Sequence, residues 1–118
     1  MSEPRLKSKL WIQAGIRALA ADGIIATVAR RGDPDAGALL IKQNFMDGRF
    51  RVLSRARTAT GALAWQAGTG GNLVDEPKAD AYIAREIERD YDLWVLEIED
   101  RDGRLPFGET PPPAPIPD

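Results

Sequence analysis

The chain has 118 residues, 43% of them hydrophobic and 29% charged, with a formal net charge of -2; these values belong to a folded protein of about one domain and exclude a disordered chain. Cysteine and histidine are both absent, which removes disulfides, thiol nucleophiles, Cys/His zinc sites and any catalytic imidazole, and no cofactor is expected. Charge is unevenly distributed: residues 1–57 hold 11 Lys/Arg against 5 Asp/Glu and residues 58–118 hold 5 against 13, which suits either a basic binding face or pairing between the halves.

In chain order, Ile12, Ile16 and Leu19 recur at helical spacing and predict an amphipathic helix from Lys7 to Asp22, closed by Gly23. Gln13, Arg17 and Asp22 interrupt it, so it makes neither a signal peptide nor a membrane span, and a cytoplasmic location without membrane contact is expected. The β-branched run from Ile24 to Val28 starts a strand that reaches Arg30-Arg31 and stops at Gly32-Asp33-Pro34-Asp35-Ala36-Gly37, a tight connection by its glycines, proline and aspartates. Ala38 to Asn44 reads as a second strand, and Asp47-Gly48 signals a hairpin into a third over residues 49–57.

Along the third strand, Arg49, Arg51, Arg55 and Arg57 share one parity with Leu53, while Phe50, Val52, Ser54 and Ala56 share the other. One basic face and one buried face are expected. A fourth strand covers Ala62 to Ala67, a glycine-rich link follows to Val74, and Asp75-Glu76-Pro77 opens a second helix that runs to about Arg89 with Ala79, Ile83 and Ile87 as its apolar stripe. Leu93 to Glu99 is a fifth strand, with Trp94, Leu96 and Ile98 on one side and Glu97 and Glu99 on the other.

These elements predict an α+β fold: a mostly antiparallel sheet of about five strands in the order α-β-β-β-β-α-β, its first four strands a sequential meander, with two helices on one face. Residues 1–105 are expected to form the domain. Residues 106–118, which hold six of the nine prolines, are expected to form a flexible tail in which Pro112 and Pro115 have Pro-x-x-Pro spacing.

Two constellations carry chemistry. Arg30, Arg31, Asp33 and Asp35 place two guanidiniums and two carboxylates on a connection, where functional groups are often displayed; the plainer reading is a turn capped by its aspartates. Arg49, Arg51, Arg55 and Arg57 form a row able to follow a phosphate backbone, although no aromatic interleaves with them for base stacking, and pairing with carboxylates such as Glu97 and Glu99 is simpler. Gly68-Thr69-Gly70-Gly71-Asn72 lacks a Walker lysine and reads as a linker. Asp100, Asp102, Gly103, Leu105 and Glu109 imitate part of a calcium loop, but Ile98 stands at its first ligand position and no metal is expected. Trp11, Trp65 and Trp94 lie on periodic segments and are assigned to packing.

The block Arg30-Arg31-Gly32-Asp33-Pro34-Asp35-Ala36-Gly37-Ala38, then Gly61 with Trp65, then Asp90-Tyr91-Asp92-Leu93-Trp94 before Glu97-Ile98-Glu99, resembles a family of short bacterial proteins, domain-of-unknown-function family fourteen ninety-one. The likeness spans about residues 5–103, leaves out the proline tail, and departs at Tyr91, where a proline is expected. It implies a self-contained bacterial domain and assigns no catalytic residue. The functional expectation is a binding or regulatory module that contacts a protein partner through its open sheet face. Nucleic-acid or anion binding through the arginine row is the first alternative, and an enzyme using Asp33 or Asp35 as acid or base the second.

Overall fold

The computed structural model describes residues 7–69 and 71–113. It contains α1 (Ser8–Ala21), β1 (Ile25–Arg30), β2 (Leu39–Asn44), β3 (Phe50–Arg57), β4 (Leu63–Ala67), α2 (Glu76–Arg89), β5 (Trp94–Glu99) and a short 3-10 turn, Pro106–Gly108. The fold is α+β with a five-stranded sheet, and the helices and strands follow one another in the order expected.

The strand order is β1-β5-β2-β3-β4, so β5 separates β1 from β2 and the sheet is mixed. β5 runs antiparallel to β1 and parallel to β2, whereas β2–β3 and β3–β4 are antiparallel hairpin pairs. The expected four-strand meander therefore holds only from β2 to β4. The physical reason is that β5 and the residue before it feed both cores, with Trp94, Leu96 and Ile98 in one cluster and Val95 with the preceding Leu93 in the other, and a two-sided strand loses least surface to water at the centre of a sheet.

The same two clusters place the helices on opposite faces of the sheet, not together on one. Trp11, Ile12 and Leu19 of α1 pack with Leu39, Ile41, Leu53, Trp65, Leu96 and Ile98; Ala79 and Ile83 of α2 pack with Leu40, Phe50, Val52 and Val95. Alternate residues of β2 thus feed two different cores, which is why its burial shows no alternation. β1 keeps its alternation because only Ala26 and Val28 reach the α1 core, while Ile25, Thr27 and Ala29 are exposed on a sheet edge.

Both helix starts are satisfied, by different means. Asp75 caps α2, its side chain accepting from the Lys78 N–H at 3.0 Å, with Pro77 in the first turn. α1 has no side-chain cap; the Ser8 and Lys9 N–H groups instead donate to the Asp35 and Pro34 carbonyls, and the Ser8 hydroxyl donates to the Gly37 carbonyl at 2.6 Å. The β1–β2 connection is therefore also the cap of α1.

α2 is pinned to its face by Lys42, whose side chain is 7% exposed. Its Nζ lies 2.8 Å from Glu76 Oε2, 2.8 Å from Asp80 Oδ1 and 3.7 Å from Glu97 Oε1. Burial pulls the ammonium pKa down, but the hydrogen bonds to Asp80 and Glu76 and the Glu97 charge together outweigh it and hold the pKa above its ordinary value. Lys42 therefore contributes fully below its unfolded-state pKa, about 10.4, and that contribution fades as pH rises through the higher folded value.

Two outcomes test this packing. The stability gap between the protein and Lys42→Met, read by urea denaturation, should hold steady from about pH 7 to 9 and narrow above about pH 10.4; a gap that widens there would contradict the raised ammonium pKa. Gly37→Ala should cost about 3 kcal/mol or more, because a Cβ there collides with the Asp92 carbonyl and the Asp33 carbonyl. Gly48→Ala, where a Cβ meets open space and only the φ of 87° is strained, should cost about 1–2 kcal/mol; equal losses would deny the close approach at Gly37.

Candidate functional site

The Arg30–Gly37 block is a packed connection. Its Asp33 N–H donates to the Asp92 carbonyl at 2.8 Å, and Gly32 and Gly37 both press their α-carbons against that same carbonyl, an approach that no side chain at either position permits. Asp33 Oδ1 accepts the N–H groups of Asp35 at 2.8 Å and Ala36 at 2.9 Å, and those two bonds lower its pKa from the ordinary value. The Asp33 carbonyl in turn accepts from the Trp94 indole at 2.7 Å. Arg30 donates to the Tyr91 carbonyl at 2.7 Å, and its Nε is buried without a partner among the described residues. Arg31 is exposed, and the exposed Asp35 lies 3.6 Å from Lys7. Among the described residues no ion pair joins these arginines to these aspartates. This turn holds β1, α1 and β5 together.

The arginine row of β3 lies on the α1 side of the sheet, and its members meet different fates. Arg49 closes the hairpin on Asp47, its Nε 2.9 Å from Oδ2, and that pairing raises the arginine pKa and lowers the aspartate pKa. Arg57 donates to the Gly61 carbonyl at 2.6 Å in the next turn. Arg51, expected in solvent, is 4% exposed: α1 and the C-terminal segment roof this face, so the row is not an open basic surface. Its Nε donates to Gln43 Oε1 at 2.9 Å and its Nη1 to the Pro113 carbonyl at 3.0 Å, while burial lowers its pKa. Gln43 is itself buried and passes the network on to the Gly103 carbonyl at 3.0 Å.

Arg55 lies over a pair of neighbouring indoles, its guanidinium carbon 5.2 Å from the Trp11 ring and 5.4 Å from the Trp65 ring, the two rings themselves standing 5.8 Å apart. Glu109 closes the cage: its Oε2 is 3.3 Å from Arg55 Nη2 and its Oε1 accepts from the Trp65 indole at 2.7 Å. Phe107 stacks edge-on against Trp11 at 5.6 Å. Residues 106–113, expected to be a free tail, instead cross the sheet: Pro106 is buried, Glu109 is caged, and Pro112 and Pro113 face Arg51. Pro115 and its Pro-x-x-Pro spacing lie outside the described residues.

The structure thus brings Arg51 and Arg55 together with Trp11, Trp65, Gln43 and Glu109, and leaves Arg30, Arg31, Asp33 and Asp35 in the connection. Trp65 was detectable as a partner, since it pairs in register with Arg55 once β3 and β4 form a hairpin, and Glu109 as the one charged residue of segment 106–113. Trp11 carried no such signal, because its position depends on which face α1 covers. The carboxylates predicted to neutralise the row do not do so: Glu97 faces Lys42, and Glu99 forms no ion pair among the described residues, while the calcium-like Asp100 pairs with Arg104 at 2.9 Å. Among the described residues no group of three or more His, Cys, Asp or Glu side chains is placed to hold a metal ion, and no helix is long and apolar enough to cross a membrane.

The four arginines should respond unequally to truncation. Arg51→Ala empties a buried site, leaves the buried Gln43 Oε1 unpaired and releases the Pro112 and Pro113 carbonyls, and should cost about 2–4 kcal/mol, whereas Arg57→Ala should stay within about 0.5 kcal/mol. Urea denaturation of both variants checks this, and similar small losses would show that the row is solvated after all.

Comparison with known proteins follows the same outline. A family model described as "Protein of unknown function (DUF1491)" matches residues 6–108. The crystal structure of a DUF1491 family protein from Caulobacter crescentus is 39% identical, with a TM-score of 0.80 over 92% of this chain and 100% of that one. An NMR structure of a DUF1491 family protein from the same organism is 40% identical, with a TM-score of 0.75 over 93% and 97%. A solution structure from A. tumefaciens is 28% identical, with a TM-score of 0.72 over 95% and 100%. No curated protein matches. On the match to residues 6–108, this chain belongs to the DUF1491 family.

Proposed function

We propose that this protein is a bacterial, cytoplasmic binding module whose ligand is a polypeptide, held on the α1 side of the sheet. One observation carries the reading: this face already holds an extended peptide segment, through side chains that contact a carboxylate and backbone carbonyls. Such contacts suit a peptide more than a nucleic acid. The row that would follow phosphates is broken up: Arg49 and Arg55 are paired with the carboxylates of Asp47 and Glu109, Arg51 is buried, and Arg57 is left as an exposed arginine bonded to a carbonyl, too few free cations for a phosphate-tracking surface. The proton-transfer alternative draws little support, because Asp33 Oδ1 is occupied by two backbone N–H groups and Asp35 sits beside Lys7. The Caulobacter and A. tumefaciens structures support a bacterial setting.

The test uses the full chain. A protein captured from bacterial lysate, once purified, should titrate calorimetrically to saturation with the chain, bind at least about tenfold more weakly to Arg55→Gln, and bind Arg57→Ala unchanged. Oligonucleotides at low ionic strength should show no salt-dependent binding. Equal affinity of the captured partner for Arg55→Gln and the unaltered chain, with thermal melting confirming that both are folded, would overturn the reading.

A further inference from the structure

We infer that the groove formed by α1, β3 and β4 docks acidic, proline-rich segments of a partner protein, and that Glu109–Pro113 is a built-in copy of that ligand. The inference rests on the binding-module reading and specifies its ligand.

The argument begins with how the strap is attached. Pro106 is buried beside Gly15 of α1, and the next two residues both take positive φ, 62° at Phe107 and 65° at Gly108. Phe107 is not a glycine, so the turn that lays the strap across the sheet holds a conformation that costs about 1–3 kcal/mol. Contacts beyond the turn must hold it there. Glu109 leaves the turn at φ -64° and ψ 148°, polyproline II values, and Pro111, Pro112 and Pro113 follow within four residues. A segment of this kind is already extended before it binds and loses little entropy on docking.

The groove's chemistry matches each part of that segment. Trp65 presents an indole N–H and Arg55 a guanidinium to one carboxylate, and Trp11 backs the guanidinium from the helix side. About one polyproline turn further on, Arg51 donates to the Pro113 carbonyl, with the Pro112 carbonyl 3.5 Å from its second amine. Three consecutive prolines have no N–H, so this stretch offers the groove only acceptors, and Arg51 supplies only donors. The ligand read out is therefore a carboxylate, one residue, then three prolines.

The strap is not sealed along its length. A cleft of about 340 Å³ opens between Ala18 and Leu19 of α1 and Phe107, Glu109 and Pro111. The groove residues Trp11, Arg51, Arg55 and Trp65 fall within the family-matched range 6–108, and Glu109, whose carboxylate Arg55 and Trp65 hold, comes just after it. An internal strap acts as a competitor at about millimolar effective concentration, so a partner segment gains access when the strap's hold is weakened or its own affinity is higher.

A fluorescein-labelled peptide of residues 105–113, followed by anisotropy with the full-length chain, tests this. It should bind Glu109→Ala at least about tenfold more tightly than the unaltered chain, since that variant loosens the competitor and keeps the groove. The same peptide with lysine at the glutamate position should bind Glu109→Ala at least about tenfold more weakly, and adding Arg55→Gln to Glu109→Ala should produce a similar loss. Tryptophan emission should shift in Glu109→Ala and return towards the original on peptide addition, because the Trp65 indole loses and regains a carboxylate.

Equal affinities for the glutamate and lysine peptides, or no binding to a folded Glu109→Ala, would overturn the proposal. A full chain that is dimeric by light scattering and becomes monomeric in Glu109→Ala would assign the groove to a second copy's strap, and overturn it as well. Indifference to the peptide's charge, together with partner binding that still depends on Arg55, removes the ligand class alone; partner binding that ignores Arg55 removes the binding-module reading with it.

Discussion

The position of β5 is the constraint on which the rest of the architecture depends. A strand carrying Trp94, Leu96 and Ile98 on one side and Val95, after Leu93, on the other cannot lie at an edge or leave a face bare without exposing apolar side chains that are now buried. Its insertion between β1 and β2 obliges a helix to cover each face. The Asp92 carbonyl at its entry becomes the point against which Gly32 and Gly37 close, so the β1–β2 connection, the start of α1 and the start of β5 form one packed corner. In that corner backbone passes so close to backbone that few side chains fit at Gly32 and Gly37.

Covering both faces also explains the treatment of charge. On the α2 side, Lys42 is drawn beneath the helix, and three carboxylates from two elements keep it ionised. On the α1 side the helix reaches Trp65 but leaves the far part of β3 to be roofed by something else, and residues 106–113 do this. The uneven charge of the chain is in part resolved by pairing between its halves: Lys42 with Glu76, Asp80 and Glu97, and Arg55 with Glu109. A near-neutral total thus conceals cations of the first half neutralised by acids of the second. The strap holds by a caged carboxylate and carbonyl acceptors, contacts weaker against competition than a packed core, and this is what makes the α1 face suited to exchange one peptide for another.

Much of the local structure was legible. The 3.6-residue spacing of Ile12, Ile16 and Leu19, the Asp75 cap with Pro77, and the Asp47-Gly48 turn each act over a few residues, and each produced the expected element. Parity in β3 separated Arg51 and Arg55 from Phe50 and Val52 correctly, yet the conclusion that the arginine face met water failed. Parity says which residues share a face and nothing about what covers it. The candidate site was legible to a similar extent: Arg51 and Arg55 were singled out, while Arg30, Arg31, Asp33 and Asp35 belong to the connection and Trp11, Trp65 and Glu109 came from packing elements and a segment read as tail.

What the sequence by itself determined was the number, type and order of the elements, because those follow from periodicity, caps and turn chemistry within a few residues of each other. Tertiary structure alone decided that β5 sits centrally, that the helices take opposite faces and that the proline-rich segment folds back over Arg51 and Arg55. These outcomes depend on how apolar surfaces from distant parts of the chain divide between two cores, and on which buried cations then require acceptors. Such competition is settled across the whole molecule, and no window of residues contains its terms.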